Sequence, residues 1–368
     1  MPNSPPKITQ AINQLEWFIQ IDLGHRGIHQ IPGENLCTYT QGNLHRAIKF
    51  LAENPGCQVG VVTGFYIPSA NPPAPENDGP PGALFMARGL NRLGYPVLFI
   101  TDPYCRKPLQ QGIELFKDQI INYKLVEFPY ELKIPDKNII VDSKWHHSKL
   151  LLRYVRSYLI PYPQLRCLIS IERVGPCHTM HTVTSQIPLP NQRTINQFIK
   201  KGPGDLKGEC LNMNAVPVTQ YTAPIHILFK YKAHAKYPIF TIGIGDGGNE
   251  IGMGSIPWQV IAKNITNGQG GKIACSVLAD ATIVAGVSNW AGYALIAGLF
   301  LYLNQFDDFL KLYSETTETK LIETYYQTKT AVDGKLGYPA MSVDGIKWEV
   351  HLKIIDFITK LIRDGLDL

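Results

Sequence analysis

The sequence predicts a three-layer α/β protein in which a mainly parallel, doubly wound sheet carries helices on both faces. Two observations carry that prediction. Short apolar runs rich in β-branched residues alternate with helix-period segments along most of the 368 residues, which is the rhythm of βαβ units. Most runs are apolar at consecutive positions, as strands buried on both faces require.

In order along the chain, residues 7–20 place Ile8, Ile12, Leu15 and Ile19 at helical spacing before Asp22, Gly24 and Gly27 break the pattern. A second helix over 43–54 stops at Pro55-Gly56, and Val59–Gly64 reads as a buried strand. The Pro-rich stretch 68–82 carries Glu76 and Asp78. It follows a strand and precedes a helix, so it is read as an active-site loop rather than a linker. Then come helix 82–92, strand 95–101 ending at Asp102, helix 109–121 and strand 123–128. Helix 144–159 leads to strand 166–171, which ends at Glu172-Arg173. Residues 178–217 are polar and weakly periodic, and are expected to form an insertion or lid. Helix 221–235, strand 238–244, strand 272–279 ending at Asp280, strand 282–287 and helix 290–303 follow. Amphipathic helices over 306–330 and 347–365 are expected to pack outside the sheet. Without internal repeats, residues 1–368 are expected to form a single domain.

Composition excludes several classes of function. The net charge of +5 is small and its Lys and Arg are scattered, so no nucleic-acid partner is expected. Seven widely spaced cysteines without a CxxC pair suit a reducing compartment rather than a disulfide scaffold. The N-terminus has neither the basic start nor the apolar run of a signal peptide, so a cytoplasmic setting is expected. Residues 281–306 carry no charge and are long enough to span a bilayer. Turn chemistry over Gly286–Trp290 interrupts them, so strand, turn and buried helix is the expected arrangement, with no membrane partner. The expected partner is a small-molecule substrate, and a homo-oligomer is compatible with the sequence.

Ligands of parallel α/β sheets gather beyond the carboxyl ends of the strands. The residues there are Thr63-Gly64, Asp102, Glu172-Arg173, Gly245–Gly254, Asp280 and Ser288-Asn289-Trp290. One Asp after a strand is ordinarily a turn former or helix cap, but six such polar ends converge. The densest is Gly243–Gly254 (GIGDGGNEIGMG), whose residues 243–248 match GxGxxG. Asp246 and Glu250 stand where a pyrophosphate would lie and would repel it, so no nicotinamide cofactor is expected. The same carboxylates suit a metal ion or a substrate ammonium; the competing reading is a tight turn with solvated acids. Ser288 and Asn289 are read equally as a helix cap and as a cradle for a carboxylate. Arg173 suits a bidentate clamp on a substrate carboxylate, or else a structural ion pair with Glu172. Cys177-His178-Thr-Met-His181 and His146-His147 lack zinc-site spacing and are read as fortuitous groupings.

Five blocks, TGFYIPSANPPAPENDGPPGA (63–83), SIERVGP (170–176), IGIGDGGNEIGMG (242–254), VAGVSNWAGYAL (284–295) and VDGIKWEVH (343–351), together resemble the D-glutamate cyclase family. The likeness is to its C-terminal domain and to stand-alone bacterial relatives, in order over roughly 20–360. The resemblance implies a hydro-lyase that closes D-glutamate to 5-oxo-D-proline with loss of water. Candidate catalytic residues are then Asp246, Asn249, Glu250 and Glu172. Candidate substrate contacts are Thr63, Gly64, Arg173, Gly247, Gly248, Ser288 and Asn289. Asp78, Asp246, Glu250 and Asp280 are hard oxygen ligands suited to Mn²⁺ or Mg²⁺. The alternatives are a related lactamising enzyme or hydro-lyase on another small amino or hydroxy acid, and a non-catalytic amino-acid or nucleotide-binding module.

Overall fold

The computed structural model describes residues 6–130, 149–230, 232, 235 and 237–367; His146-His147 and the start of the predicted helix at 144 lie outside them. The predicted fold class holds. Six strands form one parallel sheet: β1 (Gln58–Thr63), β2 (Val97–Thr101), β3 (Tyr123–Glu127), β4 (Leu165–Ile171), β5 (Phe240–Gly245) and β6 (Ala281–Val284). Their spatial order is β3-β2-β1-β4-β5-β6. The direction of winding reverses between β1 and β4, which pair directly from Gln58↔Leu165 to Thr63↔Ile171. The crevice beyond their carboxyl ends is the switch point at which doubly wound sheets take ligands.

Alternation along each strand divides two cores. Val59 and Val61 of β1, Cys167, Ile169 and Ile171 of β4, and Ile242 and Ile244 of β5 face one side. There they meet α1 (Pro6–Ile19), α2 (Asn43–Glu53), α3 (Pro80–Arg92), α4 (Arg106–Leu115), α5 (Ser288–Tyr302), α6 (Glu315–Thr328) and α7 (Trp348–Asp367). Val62, Leu98, Ile100, Leu168 and Val284 face the other side, against Trp258–Ile265, Ile225–Phe229 and the helix Lys149–Leu159. Burial on both faces is why the strands read as continuous apolar runs. Helix α5 has no polar face because α1, α2, α3 and α7 surround it. It covers most of the uncharged stretch, and no helix among the described residues is long and apolar enough to cross a membrane.

Three segments depart from expectation. Residues 272–279 are not a strand: Gly270–Ile273 is a helical turn, and the following chain runs extended across the loops. There the backbone of Cys275 forms an isolated β-bridge with that of Cys177, and the backbone of Leu278 does so with Gly252 and Met253. Ile273–Val277 is buried, hence its apolar sequence, but it lies outside the sheet. The predicted helix 221–235 is helical only at His226–Lys230 among the described residues, because Pro224 cannot donate to a preceding turn. The helix predicted over 306–330 is two, Phe306–Leu310 and α6. Within 178–217, helices Met180–Thr184 and Gln192–Lys201 pack on the second face, with Phe198 edge-on to Trp258 at 5.1 Å between ring centroids.

Candidate active site

The glycine-rich loop closes on its own carboxylate. Glu250 turns back so that Oε1 accepts from the backbone N–H of Gly247 (2.8 Å) and Asp246 (3.3 Å), while Oε2 accepts from Gly248 N–H (2.8 Å). These are the amides that a phosphate loop leaves free for its ligand. Gly252 permits the fold-back: it has φ +108° and lies so close to Gly243 that a Cβ there would come within 2.6 Å of the Gly243 Cα. The GxGxxG match therefore follows the fifth strand of the sheet, and its anion site is filled internally.

Closing the loop leaves Asp246 pointing into the switch-point crevice. It is fully buried, and neither carboxyl oxygen has a hydrogen-bond donor among the described residues. Its nearest cation is Arg26, 3.2 Å away, which also holds Asp344 at 2.8 Å. Burial raises the Asp246 carboxyl well above the ordinary carboxylate range, Arg26 opposes this, and Glu172 and Asp344 push further upward. Burial works against ionisation of Asp344 too, but the charge and hydrogen bond of Arg26, with the adjacent Asp246 carboxyl, outweigh it and hold Asp344 low. The two carboxyls therefore titrate as a pair, with Arg26 favouring ionisation of Asp344 and burial opposing that of Asp246. Burial, reinforced by acidic neighbours, also raises Glu76 and Glu172. Burial, with Asp344, raises Asp78 to about 8 against its backbone hydrogen bonds. One guanidinium among buried acids, most of which burial pushes upward while Asp344 is held low, is the electrostatic character of the site.

Two helix N-termini are capped reciprocally here. Asp78 accepts from the Ser288 and Asn289 amides of α5 (2.9 and 2.8 Å), whereas Asn289 Oδ1 accepts from Gly79 and Gly82 at the start of α3 (3.0 and 2.8 Å). The exchange needs the helices to touch, and Gly82 and Gly292 supply it: a Cβ on Gly292 would stand 3.0 Å from the Gly82 Cα. Ser288 donates its hydroxyl to Glu172 Oε2 at 2.6 Å. Ser288 and Asn289 are therefore at the site, but their polar groups are engaged within the protein.

The crevice opens into a cavity of about 370 Å³, lined among others by Arg26, Glu76, Glu172, Asn212, Lys335 and Asp344. Of the segment 178–217, Asn212–Asn214 reach it. Of the predicted residues, Asp246, Glu250, Glu172 and Asp78 come together, with Thr63 beside them; Thr63 Oγ1 lies 2.6 Å from where a Cβ on Gly79 would sit. Gly247 and Gly248 give their amides to Glu250, and Asn249 donates to Leu211 O at 2.9 Å. Arg173 turns away from Glu172 and from the cavity: its guanidinium donates to Asp102 (2.5 Å), Gly64 O (2.7 Å) and Ala223 O (2.9 Å). It anchors loops behind the site. Glu172 causes the divergence, because its left-handed φ of +43° breaks strand alternation. Asp280 sits at the amino end of β6, paired with Lys232 and accepting from Thr241 N–H at 2.8 Å. That is the opposite end of the sheet, and it follows from 272–279 not being a strand.

Sequence reasoning missed Arg26 and Asp344, and placed Glu76 on an active-site loop without giving it a role. Asp344-Gly345 forms the turn of a two-stranded hairpin, Ser342–Val343 with Ile346–Lys347, both central residues having positive φ. An Asp-Gly pair between apolar residues signals such a turn. Asp333 fixes that hairpin by accepting from Ser342 Oγ and Gly345 N–H at 2.5 and 2.8 Å.

The residues present fit a hard divalent cation. Asp78, Asp246 and Asp344 each bring an oxygen within 4.8 Å of the others, as do Glu172, Asp246 and Glu250. Unpartnered acceptors on Asp246, Asp344 and Glu76 crowd the same space.

The family model described as D-glutamate cyclase-like, C-terminal, matches residues 15–186 and 199–359. The human protein named D-glutamate cyclase, mitochondrial, is 29% identical over 299 residues, which is 80% of this chain and 39% of that relative's length. The five blocks quoted above all fall inside the matched ranges.

Proposed function

This chain belongs to the D-glutamate cyclase-like family, and on that premise we propose that it closes D-glutamate to 5-oxo-D-proline with release of water. The observation that carries the reading is the Arg26–Asp344 pair in a cavity that Glu76 and Glu172 also line, with the buried Asp246 carboxyl 3.2 Å from Arg26. The reaction needs both kinds of group. The α-ammonium must lose a proton before its nitrogen can attack, and an ionised Asp344 is the base available. The γ-carboxylate resists attack until it is neutralised, and a protonated Asp246 or Glu172 is the acid available. Two of the three ammonium protons end on the departing γ-oxygen, which leaves as water, while the new C–N bond closes the lactam. Arg26 and Lys335 offer positive charge for the α-carboxylate. A Mn²⁺ or Mg²⁺ held by Asp246 with Asp344 and Asp78, or with Glu172 and Glu250, would supply Lewis-acid neutralisation of the γ-carboxylate. Because both reacting groups belong to one bound molecule, positioning and charge are the protein's main contribution.

The experiment is incubation of the chain with D-glutamate, with and without Mn²⁺ or Mg²⁺, following 5-oxoproline by chiral chromatography. The expected result is 5-oxo-D-proline whose formation is lost in Asp344→Asn and in Asp246→Asn. Turnover that persists in both variants would remove the proposed chemistry. Lactam formed from another amino acid in a substrate panel, and not from D-glutamate, would favour a related lactamising enzyme of the same family.

A further inference from the structure

A second cavity, about 570 Å³, lies at the far end of the sheet from the acidic cluster, around the amino end of β6. It separates the segment 178–187 from Phe229–Lys230 and from the loop 276–280. Lys230, Lys232, His178 and His181 line it, and the acid on its wall, Asp280, is already paired with Lys232. Lys230 is half-buried and has no ion pair among the described residues; burial pulls its ammonium below the usual lysine range. His178 is only 2% exposed, and its Nε2 has no partner.

We propose that this cavity binds an organic anion, a phosphate or carboxylate head carried on an apolar body. The head sits between Lys230 and His178 Nε2. Nδ1 of His178 meets Thr182 Oγ at 3.0 Å, and that hydroxyl is equally placed to donate to Thr179 O at 3.0 Å; an anion in the cavity selects the arrangement in which the hydroxyl donates to Nδ1 and the ring's proton, on Nε2, points to the ligand. The anion completes Lys230 and occupies the orphaned imidazole donor, the two groups whose burial is otherwise uncompensated. The body is read from the rim, where Ile187 (91% exposed) and Leu278 (65% exposed) border the cavity beside Pro257. A bare inorganic ion would leave those side chains in water. The cysteine of the Cys177-His178-Thr-Met-His181 run is not part of this site: its thiol donates to Leu206 O at 3.2 Å, so the run does not converge on a metal.

The test is calorimetric titration of the whole chain with inorganic phosphate, phenyl phosphate and phenylacetate. Saturable binding of an aryl probe about tenfold tighter than inorganic phosphate is expected, reduced about tenfold to a hundredfold in Lys230→Met and in His178→Gln. Asp246→Asn, in the other cavity, should leave that binding unchanged. The stronger of the phosphate and carboxylate probes identifies the head group. Trinitrobenzenesulfonate labelling of the unmutated chain, mapped by peptide mass, gives a readout independent of the variants. Lys230 should react, and the aryl probe should protect it. Absence of saturable binding by every probe up to about 10 mM overturns the proposal. So does binding undiminished in Lys230→Met, or labelling of Lys230 that no probe slows.

Discussion

Replacing Arg26 with methionine removes the one guanidinium held between Asp246 and Asp344 while keeping most of its apolar length. At about 3 Å and an effective dielectric of about 20, attraction to one ionised carboxylate is worth about 5 kcal/mol gross. Desolvation of both partners offsets much of this. Arg26 is 17% exposed, so the variant is expected to lose about 2–4 kcal/mol near pH 8. The loss depends on pH with a definite sign. In the native chain the Asp344 pKa is depressed, so its contribution is present above the unfolded value of 3.8 and is lost as pH falls below it. In the variant that carboxyl is buried without a cation, its folded pKa rises above the unfolded value, and stability falls as pH rises. The difference between native and variant chains should therefore be largest near pH 8 and shrink toward pH 5. Urea unfolding at the two pH values measures it. An equal difference at both would show that Arg26 acts through packing alone, and the account in which Arg26 holds Asp344 low would fail.

Three other perturbations separate structural roles from chemical ones. Asp280→Asn should cost at most about 1 kcal/mol, as expected for a partly exposed pair, and leave cyclisation unchanged; loss of turnover would return Asp280 to the site. Gly286→Ala should destabilise by about 1–3 kcal/mol or more, since its Cβ would lie 1.9 Å from the Ile21 carbonyl oxygen; a thermal melt like that of the native chain would contradict the close approach. His351, which accepts from Trp290 Nε1 at 2.9 Å, is pulled below its ordinary 6.5 by burial. Its contribution is therefore present above pH 6.5 and lost as pH falls, and His351→Gln should flatten the acid limb of a urea-midpoint profile between about pH 6.5 and 5.

Strands β1, β2, β4, β5 and β6 were legible because burial on both faces leaves an unbroken apolar record. The same record misled at KIACSVLA (272–279), whose middle, Ile273–Val277, is as buried as a strand but lies across the loops, and the error carried Asp280 to the wrong end of the sheet. Asp246, Glu172 and Asp78 were legible from their places after strands or before a helix. Arg173 was not, because the left-handed Glu172 reverses which neighbour faces the crevice. Arg26 and Asp344 meet across more than three hundred residues of chain, each from a loop without periodicity, so no local pattern announces the pairing. Ser288 and Asn289 read equally as a helix cap and as a cradle for a carboxylate. Their role is an exchange between two helices, visible only once Gly82 and Gly292 bring those helices together.

The loop that folds over Glu250 behaves as a receptor whose guest is tethered to it. Two to four residues separate the carboxylate from the amides that hold it, so its local concentration far exceeds the millimolar values reached through flexible linkers. No dissolved carboxylate or phosphate competes at such odds, and the loop is closed to free anions without any gate. Cutting the tether, as in Glu250→Ala, would leave three converging amides exposed to acetate or phosphate from solution. A motif spelled like a cofactor cradle is here a latch, and the same glycines would serve either purpose according to whether the anion arrives from solution or is encoded in the chain.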